Sequence, residues 1–174
     1  VLRPWQEDAI KLINPTERKV IWICGKQGNE GKTWFQGYLQ YLYGYDHVVR
    51  MDLRIKHGNI CNVLIKRSLP TINIFLFNDA RSMSADDCEV YKVLEDIKDG
   101  QATGIKYDND NLTFNMPNTV MIFSNGYPKL KNLSTDRWVI YNANQGGLNN
   151  VTKTIMKTDG YNHDKTSHLE RYEL

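Results

Sequence analysis

The sequence predicts an α/β fold with a mostly parallel central sheet flanked by helices. Three observations predict it. Short apolar runs at residues 19–24, 47–53, 72–77 and 119–124 alternate with segments of helical period; this is the pattern of crossover units joining parallel strands. One of these runs passes through a glycine-punctuated loop directly into a helix. The chemistry-bearing residues gather where strands end, and open sheets of this kind bind ligands at the carboxyl ends of their strands.

Taken in order, Arg3-Pro4-Trp5-Gln6 opens a helix, because Pro4 suits a first helical turn. Trp5, Ala9, Ile10 and Ile13 then share a face, and Asn14-Pro15-Thr16 stops the helix. Residues 19–24 (KVIWIC) read as a buried strand, 25–31 as a loop, and 32–43 as a helix with Phe35, Leu39 and Leu42 inward. A strand is expected at 47–53, a weaker helix around 60–66, and a strongly apolar strand, INIFLF, at 72–77. Val90, Val93, Leu94 and Ile97 mark a helix over 86–98. Residues 101–114 are polar with a turn near Asp108-Asn109-Asp110-Asn111, which predicts a hairpin. TVMIFS at 119–124 is another buried strand, and 138–141 is expected to be the last. The expected organisation is an N-terminal helix and linker (1–18), a core (19–144) and a loosely packed tail (145–174).

The 174 residues suit one compact domain with a sizeable core. The net charge of +2 is too balanced to announce a nucleic-acid binder, so any basic surface must come from local clustering. Cys24, Cys61 and Cys88 form no C-x-x-C pair, and the four histidines show no zinc spacing with them. Reduced thiols in an intracellular setting, host nucleus or cytoplasm and not secreted, are the expectation. No apolar run approaches the ~20 residues of a membrane span. The chain begins at Val1, so a piece of a longer protein is expected.

The segment from Gly25 to Thr33, GKQGNEGKT, lies between a strand and a helix, the context of a P-loop. Glycines let consecutive backbone N–H groups face phosphate oxygens, and the following helix offers its N-terminus to the anion. Gly25, Gly28, Asn29, Glu30, Gly31, Lys32, Thr33 and Trp34 are the expected nucleotide-binding residues. Lys32 is placed to reach the β- and γ-phosphates of ATP, and Thr33 to hold Mg²⁺. Gly25 sits one residue earlier than in the usual spacing, so the loop is one residue longer.

Such a loop needs an acid on a neighbouring strand end. Asp79, after INIFLF, is the candidate for that role and for the metal; a simple turn-capping role is the alternative. TVMIFS ends in Asn125-Gly126, where the Asn125 amide is placed to orient an attacking water. Asp136-Arg137-Trp138 offers either an arginine reaching a neighbouring subunit's phosphate or a structural Asp–Arg pair.

The order of these motifs resembles the superfamily 3 helicase domain, an AAA+-like P-loop NTPase, of Rep replication initiators from circular single-stranded DNA viruses. The nanovirus and alphasatellite type is the most similar. Residues 25–33 resemble its long Walker A, GPxGxEGKT, with Lys26 in place of the frequent proline. Phe77-Asn78-Asp79-Ala80-Arg81 resembles the Walker B pattern FDxPR, and in that register Asn78 stands in the acid's place. Residues 94–100 resemble the LEEFKNG helix, and Gly104-Ile105-Lys106-Tyr107 falls at a GKY-like hairpin. Ile122-Phe123-Ser124-Asn125 matches motif C, and Asp136-Arg137-Trp138 the segment carrying the arginine finger. The resemblance implies catalytic roles for Lys32, Asp79 or Asn78, Asn125 and Arg137.

It also implies ATP and Mg²⁺ as cofactors and a homo-oligomer, a hexameric ring, that moves along single-stranded DNA. No membrane partner is expected. Lys106 would meet DNA phosphate and Tyr107 would stack on a base; a solvated surface hairpin is the alternative. The family's nicking domain carries paired histidines, and no such motif precedes the helicase start here. Two other functions compete: a nucleotide-binding assembly module with weak hydrolysis, which Asn78 favours, and a P-loop nucleotide kinase.

Overall fold

The computed structural model describes residues 1–13, 18–53, 64, 71–79, 88–103, 111–113, 118–128 and 136–161. Its elements are α1 (Pro4–Lys11), β1 (Val20–Cys24), α2 (Lys32–Tyr43), β2 (Val48–Asp52), β3 (Ile74–Asp79), α3 (Cys88–Lys98), β4 (Gln101–Thr103), β5 (Asn111–Thr113), β6 (Thr119–Ser124), β7 (Trp138–Asn144), β8 (Gly147–Asn150) and α4 (Thr152–Tyr161).

Six strands form one sheet in the order β2-β3-β6-β1-β7-β8. The first five are parallel; β8 pairs antiparallel with β7 at the edge. The expected α/β fold with a mostly parallel sheet is what the chain adopts. β1, β3 and β6 are apolar almost throughout because helices cover both of their faces. One face buries Trp22, Phe75, Phe77, Val120 and Ile122 against Val90, Tyr91, Leu94, Ile97 and Ile155 of α3 and α4. The other buries Ile21, Ile23, Leu76, Met121 and Phe123 against Trp5, Ala9, Phe35 and Leu39 of α1 and α2.

Three expectations need correction. The tail expected from 145 onward instead supplies the sixth strand and then α4 through Tyr161. Short polar β8 carries little apolar signal because it is an edge strand with two of its four residues exposed. Gly147 opens it at φ 135°, a conformation that favours glycine, and a Cβ there would come within 2.5 Å of Asp8 Oδ2. Asp8 accepts the Leu148 N–H at 3.1 Å, so α1 is docked on β8 rather than standing apart from the core. Leu42 is not inward but 47% exposed, and buried Gln36 takes a place on the inner face of α2. The helix expected around 60–66 lies outside the described residues apart from Leu64.

β4 and β5 pair antiparallel, Gln101 opposite Thr113 and Thr103 opposite Asn111, so the hairpin expected between them has its two strands. Lys106 and Tyr107, the expected DNA-contacting pair, lie outside the described residues.

Candidate nucleotide site

β1 ends under the phosphate loop. The Gly25 N–H donates to the Ser124 carbonyl at 2.9 Å, which fixes the root of the loop to β6. Asn29 then adopts φ 67°, uncommon for a residue with a Cβ, and Gly31 follows at φ 78°. Gly31 is the N-cap of α2, and no side chain caps that helix. The first-turn N–H groups are therefore not taken up by a side-chain cap, as an anion site at a helix N-terminus requires. At Gly28 a Cβ would meet nothing within 4 Å, so its hydrogen side chain is not demanded by neighbours in the chain.

The loop is braced from behind by α1. Arg3 Nη1 donates to the Asn29 carbonyl at 2.8 Å, Trp5 Nε1 to the Glu30 carbonyl at 3.3 Å, and Gln6 Nε2 to the Gly31 carbonyl at 3.4 Å. Gln6 Oε1 accepts the Arg3 N–H at 2.9 Å, so one buried amide closes the helix's first turn and reaches the loop. These three side chains were not foreseen as site residues, because a contact across 25 positions leaves no local signal. The Gln6 position, three residues after the N-cap, was the one readable hint of capping.

Lys32 Nζ donates to the Gly25 carbonyl at 2.7 Å and pairs with Glu30 Oε2 at 3.0 Å. Trp34, one of the expected binding residues, is 58% exposed and stacks on Tyr38 with ring centroids 5.4 Å apart. Thr33 is exposed at the start of α2. The thiol of Cys24, at the loop's root, is pushed up to about 12 by burial, against the smaller lowering influence of Lys32 and Lys26.

The acid strand runs further than expected. β3 continues to Asp79, so Asn78 and Asp79 are both in the strand and point to opposite faces. Asn78 Oδ1 accepts from Gln36 Nε2 at 3.4 Å and thus lies on the side of α2, one turn beyond Thr33. Buried Asp79 is on the other face, where its Oδ2 accepts from Ser124 Oγ at 3.0 Å. Ser124 Oγ also accepts the Gly126 N–H at 3.1 Å, and Trp22 Nε1 donates to the Gly126 carbonyl at 2.9 Å. A hydrogen-bonded chain therefore joins Asp79 to the turn that carries exposed Asn125. Cys24, Ser124 and Asp79 share one row of the sheet, which places Asp79 two strands from the root of the loop.

Arg137 is not part of this constellation. It precedes β7, whose Trp138 pairs with Val20 at the start of β1, so it lies at the opposite end of the sheet from the loop. Five residues of strand separate those ends, roughly 16 Å. The residue is 3% exposed; its Nη2 donates to the Glu95 carbonyl at 3.1 Å and pairs with Asp99 at 2.8 Å. Of the two readings left open for it, the in-chain ion pair is present, though with Asp99 and not with Asp136.

A cavity of about 780 Å³ adjoins the loop. Arg3, Pro4, Trp5 and residues 26–30 form one wall, and Asn142 through Gly146 the other. Asn142 is held by donating its Nδ2–H to Tyr127 Oη at 2.7 Å. The volume is within the ~300–1,000 Å³ usual for small-molecule sites. Among the described residues, no three His, Cys, Asp or Glu side chains converge as a metal cage. Magnesium in nucleotide sites is held by one or two side chains plus phosphate oxygens, so the hydroxyl of Thr33 fits such an ion without a cage.

Fold and loop together define a P-loop NTPase-like domain. Comparison with known proteins narrows this. No family model matches the chain. The Para-Rep C7 protein of Faba bean necrotic yellows C7 alphasatellite is 30% identical over 146 residues, 82% of this chain and 48% of that protein. Para-Rep C10 of Milk vetch dwarf C10 alphasatellite is 29% identical over 78% of the chain and 46% of its own length. Para-Rep C6 of Subterranean clover stunt C6 alphasatellite is 30% identical with the same coverages. The A-form apo structure of the NrS-1 C-terminal region overlaps 88% of this chain and 38% of its own, with a TM-score of 0.47 and 16% identity, too loosely to bear on function. The chain is Rep-like: it is homologous to the Para-Rep proteins of alphasatellites and spans about half the length of those it matches. No helix among the described residues is long and apolar enough to cross a membrane.

Proposed function

We propose that this domain binds ATP with Mg²⁺ and hydrolyses it as the AAA+-like, superfamily 3 helicase motor of a Rep-type replication initiator. The observation that carries the reading is the uncapped N-terminus of α2 behind Gly31, with Lys32 beside it and a nucleotide-sized cavity alongside. In this reading the triphosphate lies over the loop from Gly25 to Thr33, and the base and sugar enter the cavity between Trp5 and Asn142–Gly146. Lys32 offsets charge on the β- and γ-phosphates, and the N–H groups of α2 bind their oxygens. Thr33 holds the metal, which supplies further charge neutralisation at the phosphates. Asn125 orients the attacking water. Asp79, through Ser124, fixes the turn that carries Asn125 and is the acid available to draw a proton from that water. The homology to Para-Rep proteins supports a replication role on single-stranded DNA. A ring of copies, with hexamer the family's form, and DNA contacts through Lys106 and Tyr107 belong to the same proposal.

The test is ATP turnover with Mg²⁺, with and without single-stranded DNA, alongside mass measurement. DNA-stimulated turnover in an oligomer supports the motor. Asn78 beside Gln36, where an acid would serve the metal side of α2, favours a second reading as a nucleotide-binding assembly module. Tight ATP binding without turnover would select that one.

A further inference from the structure

The phosphate loop carries its own anion. Glu30 Oε1 accepts the Gln27 N–H at 3.2 Å, and Oε2 receives Lys32 Nζ at 3.0 Å. Those are the two kinds of donor, loop amide and P-loop lysine, that a nucleotide phosphate uses. Both side chains are largely enclosed, 12% exposed for Lys32 and 14% for Glu30, so water does not screen the pair strongly. The carboxylate is seated so deeply that a Cβ on Gly25 would come within 1.6 Å of Oε2. The backbone is bent to present it. Asn29 stands at φ 67° and is held there by Arg3, while Trp5 ties down the Glu30 carbonyl.

We propose that Glu30 is the resident occupant of the phosphate cradle, and that any polyphosphate must displace its carboxylate to reach Lys32. This rests on reading the loop as a phosphate site. Two carboxylate oxygens in the cradle stand in for phosphate oxygens, and they cannot stay there beside a polyanion. Binding therefore breaks the Glu30–Lys32 pair and turns the carboxylate outward. When the nucleotide leaves, the carboxylate recaptures the lysine. Glu30 thus lowers affinity and speeds release, and it keeps the loop ordered between occupants. It also gives glycine at position 25 a steric reason: a Cβ there would collide with the internal carboxylate.

The experiment is titration of ATP, ADP and inorganic pyrophosphate into the parent chain, Glu30→Gln and Glu30→Ala, with release of ADP followed by stopped flow. Gln keeps the shape and can still accept from Gln27, but it does not compete as an anion. The expected result is five- to tenfold tighter pyrophosphate and ATP binding by Glu30→Gln, about the worth of one enclosed charge-assisted contact. ADP release should slow by a similar factor, and Glu30→Ala should shift binding in the same direction. Unchanged or weaker binding by Glu30→Gln overturns the proposal and makes Glu30 a brace that holds Lys32 in place. If neither the parent nor the Glu30 variants bind any of the three ligands, the phosphate-site reading itself fails and takes the proposal with it. Binding by Glu30→Gln where the parent shows none supports displacement.

Discussion

Replacing Arg137 with alanine should destabilise the fold rather than only silence the chemistry. The guanidinium is buried, with Nη2 shared between the Glu95 carbonyl and Asp99. Breaking a fully buried ion pair costs ~3–5 kcal/mol. Here Asp99 is 47% exposed and can regain water when its partner goes, which discounts the figure. Glu95 keeps its own anchor, because Trp138 Nε1 donates to Glu95 Oε1 at 2.8 Å. The remaining loss is the buried stem, the hydrogen bond to the Glu95 carbonyl and part of the pair, about 2–3 kcal/mol in all. For a chain of this size that lowers the melting temperature by roughly 5–10 °C. Calorimetry or thermal circular dichroism of Arg137→Ala, Asp99→Asn and the double variant checks it, and the cycle isolates the pair's coupling. A melting temperature within 2 °C of the parent would refute the structural assignment. If turnover by such a stable variant were also lost, and returned on mixing with Lys32→Ala, Arg137 would be acting on a neighbouring copy's phosphate.

Lys32→Ala should lose ATP turnover and weaken nucleotide binding, since Lys32 is the cation at the cradle; unchanged turnover in a steady-state assay would remove the loop from the chemistry. Asp79→Asn should abolish Mg²⁺-dependent turnover while ATP still binds, whereas Asn78→Asp should leave turnover unchanged or raise it; normal hydrolysis by Asp79→Asn would put the acid elsewhere. Because burial pushes the Cys24 thiol up to about 12, its reactive thiolate is scarce at pH 8 in the folded chain. Iodoacetamide followed by peptide mapping should therefore modify Cys24 slowly without urea and quickly with it, and equal rates would contradict its burial beneath the loop.

Much of the fold was legible because its central strands are buried on both faces. TVMIFS and the helix after Lys32 appear with the bounds their residues predict, 119–124 and 32–43. Legibility failed where burial is partial. β8 has one buried residue in four, so its GLNN carries no period, and its place in the sheet follows from pairing with β7 and from Asp8. Leu42 fits the inward spacing of α2, yet it is exposed, while Gln36 is buried and Tyr43 is the last-turn residue that packs against the core. The loop between β1 and α2 stands where the glycines from Gly25 to Gly31 place it, because glycine acts through local backbone geometry. The far wall of the cavity was not, because Asn142–Gly146 reach it only when β7 lies beside β1 and α1 closes over the end.

The acid strand shows what one extra pair of strand residues does to a functional reading. Had β3 stopped at Phe77, Asn78 and Asp79 would sit in a turn, and either could swing toward the metal side. Because the ladder pairs Asn78 with Phe123 and Asp79 with Ser124, the pleat fixes their directions. Asn78 belongs to the face of α2, Gln36 and Thr33; Asp79 belongs to the face of Ser124 and the Asn125 turn. Moving an acid from one position to the next is then a change of sheet face, not a slide along the strand. On the proposed function, an acid at 78 would bear on the metal that Thr33 would hold, whereas the acid at 79 bears on the turn that carries Asn125. The two variants at this strand end therefore probe different halves of the reaction, and a chain carrying both Asn78→Asp and Asp79→Asn is not a restored site.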